Sequence, residues 1–256
     1  MGKMAEEQLH SLMVWAVIAA AALTFPYLLR KTAPYGRHYA GAGWGPHISS
    51  RFGWIIMELP AVVVFLAVYF NGKTAYQIVP LLFLVMWQSH YLNRTFIYPF
   101  RIRQRGRKTP LLVVGSGFFF NVINAYVNAR FISEFGEYAI EWLVDPRFLI
   151  GVGIFLGGIA LNLHADNILI RLRRPGETGY VVPQGGGFRL VSCPNYLGEI
   201  LEWAGWALAT WSLSGLAFLL FTSANLVPRA RSNHQWYVET FRDYPPRRKA
   251  LIPGIY

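Results

Sequence analysis

Long apolar runs separated by short polar segments set the pattern of this chain. Residues 8–29, 74–93, 109–129 and 148–165 contain no Asp, Glu, Lys or Arg, and 52–71 is broken only by Glu58. A longer run from Trp203 to Pro228 reaches back to Asn195 apart from Glu199 and Glu202. A membrane-crossing helix needs about 20 mostly apolar residues, so the first five runs each predict one span. The last is too long for one span and short for two, and its hydropathy alone leaves the count open. The composition fits a membrane-embedded body. Of 256 residues, 54% are hydrophobic and 14% charged, against about 25% charged in soluble domains.

Charge settles the count. Basic residues outnumber acidic ones 24 to 13. Nineteen of the 24 lie in four segments, 30–51, 101–108, 171–189 and 229–249, which follow spans one, three, five and the last. The intervening loops and the N-terminus carry Glu6, Glu7, Glu134, Glu137, Glu141 and Asp145. The positive-inside bias then places all four basic segments in the cytoplasm, which requires an odd number of spans. The sequence therefore predicts an all-α integral membrane protein with seven transmembrane helices, N-terminus outside and C-terminus cytoplasmic. Its last two helices are short and meet near Ser212–Gly215. The chain reads as one domain over 1–256, with 1–108 mainly on a substrate side and 109–256 mainly on a cofactor side. A basic, aromatic-rich chain can be a nucleic-acid binder, but such a protein does not need this much apolar sequence. Nor is the first run a cleaved signal: Glu6 and Glu7 precede it and Arg30–Lys31 follow it. The lone Cys193 excludes an internal disulfide framework and any Cys-based metal site, and the six histidines show no ligand spacing.

Ionisable groups inside apolar runs are costly and mark function by default. Glu58, His90, Arg94, His164, Asp166, Glu199 and Glu202 are all of this kind. They fall on helical faces: Asn162, Asp166 and Arg173; Asn195, Glu199 and Glu202; Tyr91, Arg94 and Tyr98. Three helices thus aim polar stripes inward, which predicts a shared cavity opening to the cytoplasm, although ion pairs that hold the bundle together would account for any one residue. Gly153 and Gly157 have the spacing of a helix-packing step, Gly185–Gly187 reads as a flexible turn, and Trp54, Tyr76 and Tyr180 read as an interfacial aromatic belt.

The chain resembles the steroid 5α-reductase (3-oxo-5α-steroid 4-dehydrogenase) family along nearly its whole length. The resemblance rests on Glu58-Leu59-Pro60, His90-Tyr91 with Arg94-Thr95-Phe96, Asn162 through Asp166, Arg173-Arg174-Pro175-Gly176-Glu177 and Pro183-Gln184-Gly185-Gly186. It extends through Leu197-Gly198-Glu199-Ile200 with Glu202-Trp203, Ala207 through Ser212, Asp243-Tyr244-Pro245 and Arg248 through Pro253. The shortness and tight loops look like a bacterial member, which implies a multi-pass protein of the bacterial inner membrane.

The resemblance implies NADPH-dependent reduction of the C4–C5 double bond of a 3-oxo-Δ4 steroid drawn from the lipid phase. Glu58 and Tyr91 would address the 3-oxo group. Asn162, Asp166, Arg173, Asn195, Glu199 and Tyr237 would bind the cofactor, with Arg105 and Arg107 near its phosphates. It implies no metal and no nucleic acid, and the chain is expected to be a monomer among membrane lipids. Met57 stands before the motif Glu where animal members carry Gln, and the histidine-rich segment of animal enzymes is here Ser232-Asn233-His234. Hydride delivery to C5 leaves enolate charge on the 3-oxygen, which a donor placed there stabilises as an oxyanion hole does. The competing readings are a related membrane enoyl or polyprenyl lipid reductase, an S-adenosylmethionine-dependent membrane methyltransferase, and a seven-span transporter without chemistry.

Overall fold

The computed structural model describes residues 3–34, 36–39, 45–102, 106–172 and 179–256. The fold is a helical bundle built from α1 (Lys3–Arg30), α2 (Ser50–Tyr69), α3 (Ile78–Leu92), α4 (Tyr98–Arg101), α5 (Leu111–Arg130), α6 (Pro146–Arg171), α7 (Pro194–Thr210) and α8 (Leu213–Thr240). One π-helical turn, Asn93–Ile97, joins α3 to the short α4, and another, Phe131–Phe135, extends α5. Five helical segments are long and apolar enough to cross a membrane: Met4–Arg30, Ser50–Tyr69, Leu111–Phe135, Pro146–Arg171 and Leu213–Thr240. The run expected to hold two short helices holds two, but only α7, of 17 residues, is short; α8 continues for 28 residues, beyond the apolar run. They break where α7 ends, at Trp211, which adopts left-handed φ of 45°. Ser212 then caps α8 by accepting the Gly215 N–H at 2.9 Å. At the start of α6, Asp145 accepts the Arg147 N–H at 2.8 Å and pairs with its guanidinium, which holds this carboxyl down at about 2.

Local contacts sort the loops onto two ends. Arg37 donates to Tyr237, Arg107 to Tyr180, Arg101 to Asn167 and Arg229 to the Ala33 carbonyl, so all four basic segments converge at one end. At the other end Arg130 grips Glu6 through two bonds of 2.6 and 2.9 Å, and Glu134 accepts the Lys73 N–H at 2.9 Å. The single sheet, β1 (His47–Ser49) against β2 (Lys108–Pro110), pairs antiparallel at the basic end with Ile48 opposite Thr109. It starts α2 and α5 side by side, so both helices descend from the same level.

The helices associate in pairs: α1 with α8, α2 with α5, and α6 with α7. Between membrane helices there is little hydrophobic driving force, and close packing at small residues takes its place. The α6–α7 seam shows this. Gly151 and Gly158 of α6 and Gly198 and Gly205 of α7 each lie against the facing backbone. A Cβ on Gly198 would sit 2.5 Å from the Asn162 nitrogen, and one on Gly158 2.6 Å from the Gly198 carbonyl. Gly153 and Gly157, the step that spacing suggested, meet nothing within 4 Å and are exposed. The packing glycines recur every seven residues instead, the two-turn repeat that keeps one face toward a nearly parallel neighbour. Gly198→Ala is therefore expected to destabilise the bundle by about 1–3 kcal/mol, seen as a lower unfolding temperature in detergent. Gly153→Ala should leave that temperature unchanged or raise it.

An aromatic core of Trp87, Trp203, Trp206, Phe83, Phe155 and Phe218 fills the space between α3, α6, α7 and α8. The α1–α8 and α2–α5 pairs join through a smaller cluster of Val14, Val17, Val127 and Ala217. Toward the basic end a large cavity lies between them.

Candidate active site

The cavity has a volume of about 780 Å³, in the upper part of the range for ligand sites. Its apolar wall comes from α1, α5 and α8 and includes Leu28, Val113, Gly117, Phe120, Phe218 and Phe221. Glu58, His90, Tyr91, Arg94, Asp166, Asn195 and Glu199 form its polar floor. Lys31, Arg37, Arg107, Arg229, Tyr180 and Tyr237 line it at the basic end.

Helix geometry explains why these residues meet. Glu58 lies eight residues into α2, about 12 Å below its start at 1.5 Å per residue. Asn121 of the neighbouring α5 donates there to the Met57 carbonyl at 2.8 Å and to Glu58 Oε2 at 3.3 Å. The side chain of Glu58 is thus held at the cavity wall by a neutral partner. Tyr91 lies near the end of α3, 3% exposed, its ring against His90, Trp87 and Trp203. Among the described residues its hydroxyl has no hydrogen-bond partner, so the donor is available to a ligand.

Arg94 is the electrostatic hub. It lies 3.5 Å from Asp166 Oδ2 and 3.4 Å from Glu199 Oε2, joining α6 to α7 through the π turn after α3. π turns concentrate at functional sites because the extra residue re-aims side chains. The guanidinium is sandwiched between Trp54 and Tyr98, with centroids at 4.7 and 4.8 Å. Trp54 also donates from its indole to the Arg94 carbonyl at 3.0 Å. Asn195 donates to Asp166 Oδ1 at 3.1 Å, and Asn162 donates to the Asn195 carbonyl at 2.9 Å.

Of the residues singled out in the sequence, Glu58, Tyr91, Arg107, Asp166, Asn195, Glu199 and Tyr237 all line this one cavity. Asn162 does not; it lies one layer behind and fixes Asn195. Arg105 and Arg173 lie outside the described residues. Trp54 and Tyr180, read as interfacial belt, belong to the cavity; only Tyr76, 79% exposed, keeps a surface position. Gly186 and Gly187 serve close packing, because a Cβ there would strike His164 and Pro194. The sequence reading missed Arg37 and Asn121. Arg37 sits in a basic loop like any other, and only its burial against Tyr180, Trp236 and Tyr237 sets it apart. Asn121 is an unremarked polar residue in an apolar run, and a count of uncharged polar positions within spans finds it.

The fit of an anionic nucleotide rests on the basic end. Arg37 donates 3.1 Å to the Tyr237 hydroxyl, yet its Nη1 is buried with no partner. Among the described residues neither Arg37 nor Arg107 is paired with a carboxylate. Half-buried guanidinium groups lacking acids are suited to phosphate, which they bind through planar forks.

Fold and cavity together define an all-α membrane protein built around a chamber with one lipid-like wall and one cationic rim. A family model described as 3-oxo-5-alpha-steroid 4-dehydrogenase matches residues 107–256. Steroid 5-alpha-reductase DET2 of Solanum lycopersicum is 44% identical over 254 residues, covering 98% of each chain. The 3-oxo-5-alpha-steroid 4-dehydrogenase 1 of Homo sapiens is 39% identical over 254 residues, covering 98% of this chain and 97% of its own. That of Macaca fascicularis is 38% identical over 255 residues, covering 99% and 96%. The chain belongs to the steroid 5α-reductase family, oxidoreductases that act on CH–CH groups. These relatives are plant and mammalian and align over nearly their full lengths, so shortness does not mark the chain as bacterial.

Proposed function

We propose that the protein reduces the C4–C5 double bond of a 3-oxo-Δ4 steroid with NADPH. The observation that carries this reading is one cavity lined by Glu58, by Tyr91 with a hydroxyl that bonds to no described residue, by an apolar wall and, at its basic end, by Arg37 and Arg107. NADPH held along Asp166, Asn195, Glu199 and Tyr237, with Arg37, Arg107 and the loop arginines Arg105 and Arg173 at its phosphates, would supply the hydride. Every other part of the step falls to the chain. Tyr91 donates to the 3-oxo oxygen, and Glu58 in its acid form donates beside it or orients the phenol. Together they lower the barrier by meeting negative charge that exists only after C5 has been reduced. The apolar wall excludes water and strengthens both contacts.

The same reading puts residues 1–108 mainly on the substrate side and 109–256 mainly on the cofactor side. Seven spans, with the basic end and the cavity mouth in the cytoplasm, fit the positive-inside bias. The steroid would come from the surrounding lipid to a monomer.

The experiment is a nucleotide comparison on detergent-purified protein with a 3-oxo-Δ4 steroid. We expect NADPH to be strongly preferred over NADH, because a guanidinium reads the 2′-phosphate. Arg37→Ala or Arg107→Ala is expected to raise the NADPH Kd about tenfold or more, in line with about 1.5–3 kcal/mol for a charge-assisted bond. Equal rates with both nucleotides in the unmutated protein count against the assignment, as does an unchanged Kd in both variants.

A further inference from the structure

Reduction of an enone needs a proton as well as a hydride, and the contacts described so far leave C4 without a donor. Beside Tyr91 lies a buried pair that no step above uses. His90 Nδ1 is 2.8 Å from Glu202 Oε1, and the two side chains are 6% and 0% exposed. Glu202 Oε2 has no partner, and among the described residues His90 is its one ion-pair partner. A fully buried carboxylate without a counter-charge is costly, and His90 as imidazolium would supply that charge.

Glu202 occupies one ring nitrogen and so decides what the other can do. With Nδ1–H donated to Oε1, the transferable proton sits on Nε2, the same orienting logic by which a carboxylate fixes a catalytic imidazole. Nε2 has no hydrogen-bond partner among the described residues, and His90 lines the cavity. Its ring centroid is 4.9 Å from that of Tyr91, at an interplanar angle of 77°. If Tyr91 holds the 3-oxo oxygen, His90 is, among the described residues, the one imidazole that lines the cavity beside it.

We propose that His90, oriented by Glu202, delivers the proton that C4 receives. This rests on the reading that the ligand is a 3-oxo-Δ4 steroid and NADPH the hydride donor. Hydride adds to C5, the C4–C5 π pair moves to form the 3-oxygen enolate, and Tyr91 and Glu58 hold that charge. The enolate then collapses to the ketone as C4 takes the proton. The Nε2–H bond breaks, its electron pair stays on nitrogen, and neutral His90 is recharged from water through the cavity mouth.

The same enolate forms in reverse from the saturated 3-oxo-5α-steroid, which allows a test without turnover. Full-length protein with NADP⁺ and that product in D₂O should exchange the C4 hydrogen faster than the C2 hydrogen, read by NMR. His90→Gln is expected to lower C4 exchange by about 100-fold, a usual share for general acid–base catalysis, while steroid Kd and C2 exchange stay near the unmutated values. Glu202→Gln should lower C4 exchange less, since its amide keeps a hydrogen bond to His90 but not the charge. It carries the test if His90→Gln does not fold. C4 exchange at the unmutated rate in a folded variant overturns the assignment. So does an equal loss at C2 and C4, which marks a packing role, or an unmutated protein that reduces the enone but exchanges no C4 hydrogen. A protein that neither binds nor reduces any 3-oxo-Δ4 steroid removes the substrate reading and this inference together.

Discussion

Tyr91→Phe is expected to reduce steroid turnover by about 100- to 1000-fold, the usual cost of one oxyanion donor, while NADPH binds as before. The phenol ring packs against Trp87, His90 and Trp203, and Phe preserves those contacts. Its hydroxyl bonds to no described residue, so deletion orphans no protein group and should leave stability nearly unchanged. The loss therefore falls on the transition state, where the charge appears, and lowers kcat with little change in KM. Glu58→Gln separates the two roles open to the carboxyl. An amide can still donate, so partial activity would identify Glu58 as a donor or orienting group. Loss of expression in both Glu58→Gln and Glu58→Ala would identify it as structural. Turnover of a 3-oxo-Δ4 steroid by Tyr91→Phe at the unmutated rate would rule out the oxyanion contact.

Arg94→Gln is expected to destabilise the protein by about 3–5 kcal/mol, the cost of breaking a buried charge pair from one side. Arg94 is the one cation within ion-pair distance of Asp166 or Glu199 among the described residues, and both acids sit in the cavity floor. Its removal leaves two carboxylates facing each other across the α6–α7 seam where the cofactor is proposed to lie. NADPH binding should fall together with the unfolding temperature. The triple change Arg94→Gln, Asp166→Asn, Glu199→Gln should recover most of the stability but not the binding, because it restores neutrality without the charged groups that would hold the cofactor. Arg94→Lys should recover only part, since an ammonium cannot fork between two acids or fill the slot between Trp54 and Tyr98. An unfolding temperature for Arg94→Gln equal to that of the unmutated protein would show that the two acids are stabilised by other means.

Whatever depends on composition and period is legible in the order of the residues alone. Apolar runs of about 20 residues located the helices, because backbone in lipid must satisfy its own hydrogen bonds. The four basic segments that charge grouped together do converge at one end, since Arg37, Arg107 and Arg229 bind neighbours drawn from the other basic segments. Asp166, Asn195 and Glu199 were legible as a site because a polar stripe on an apolar helix has few places to point. Which faces meet is a matter of packing between helices and is not written in any one of them. Gly153 and Gly157 have suitable spacing but face outward, whereas Gly151, Gly158, Gly198 and Gly205 make the seam, because the approach of two helices depends on the partner's surface. Trp54 and Tyr180 look like belt aromatics until they are seen against Arg94 and Arg107. Asn162 sits one layer behind the cavity by a hydrogen bond that no spacing reveals. Arg37 is told from an ordinary loop arginine by its half-buried guanidinium, packed on Tyr180, Trp236 and Tyr237 with Nη1 short of a partner, and burial is a property of the assembled neighbours rather than of the residue.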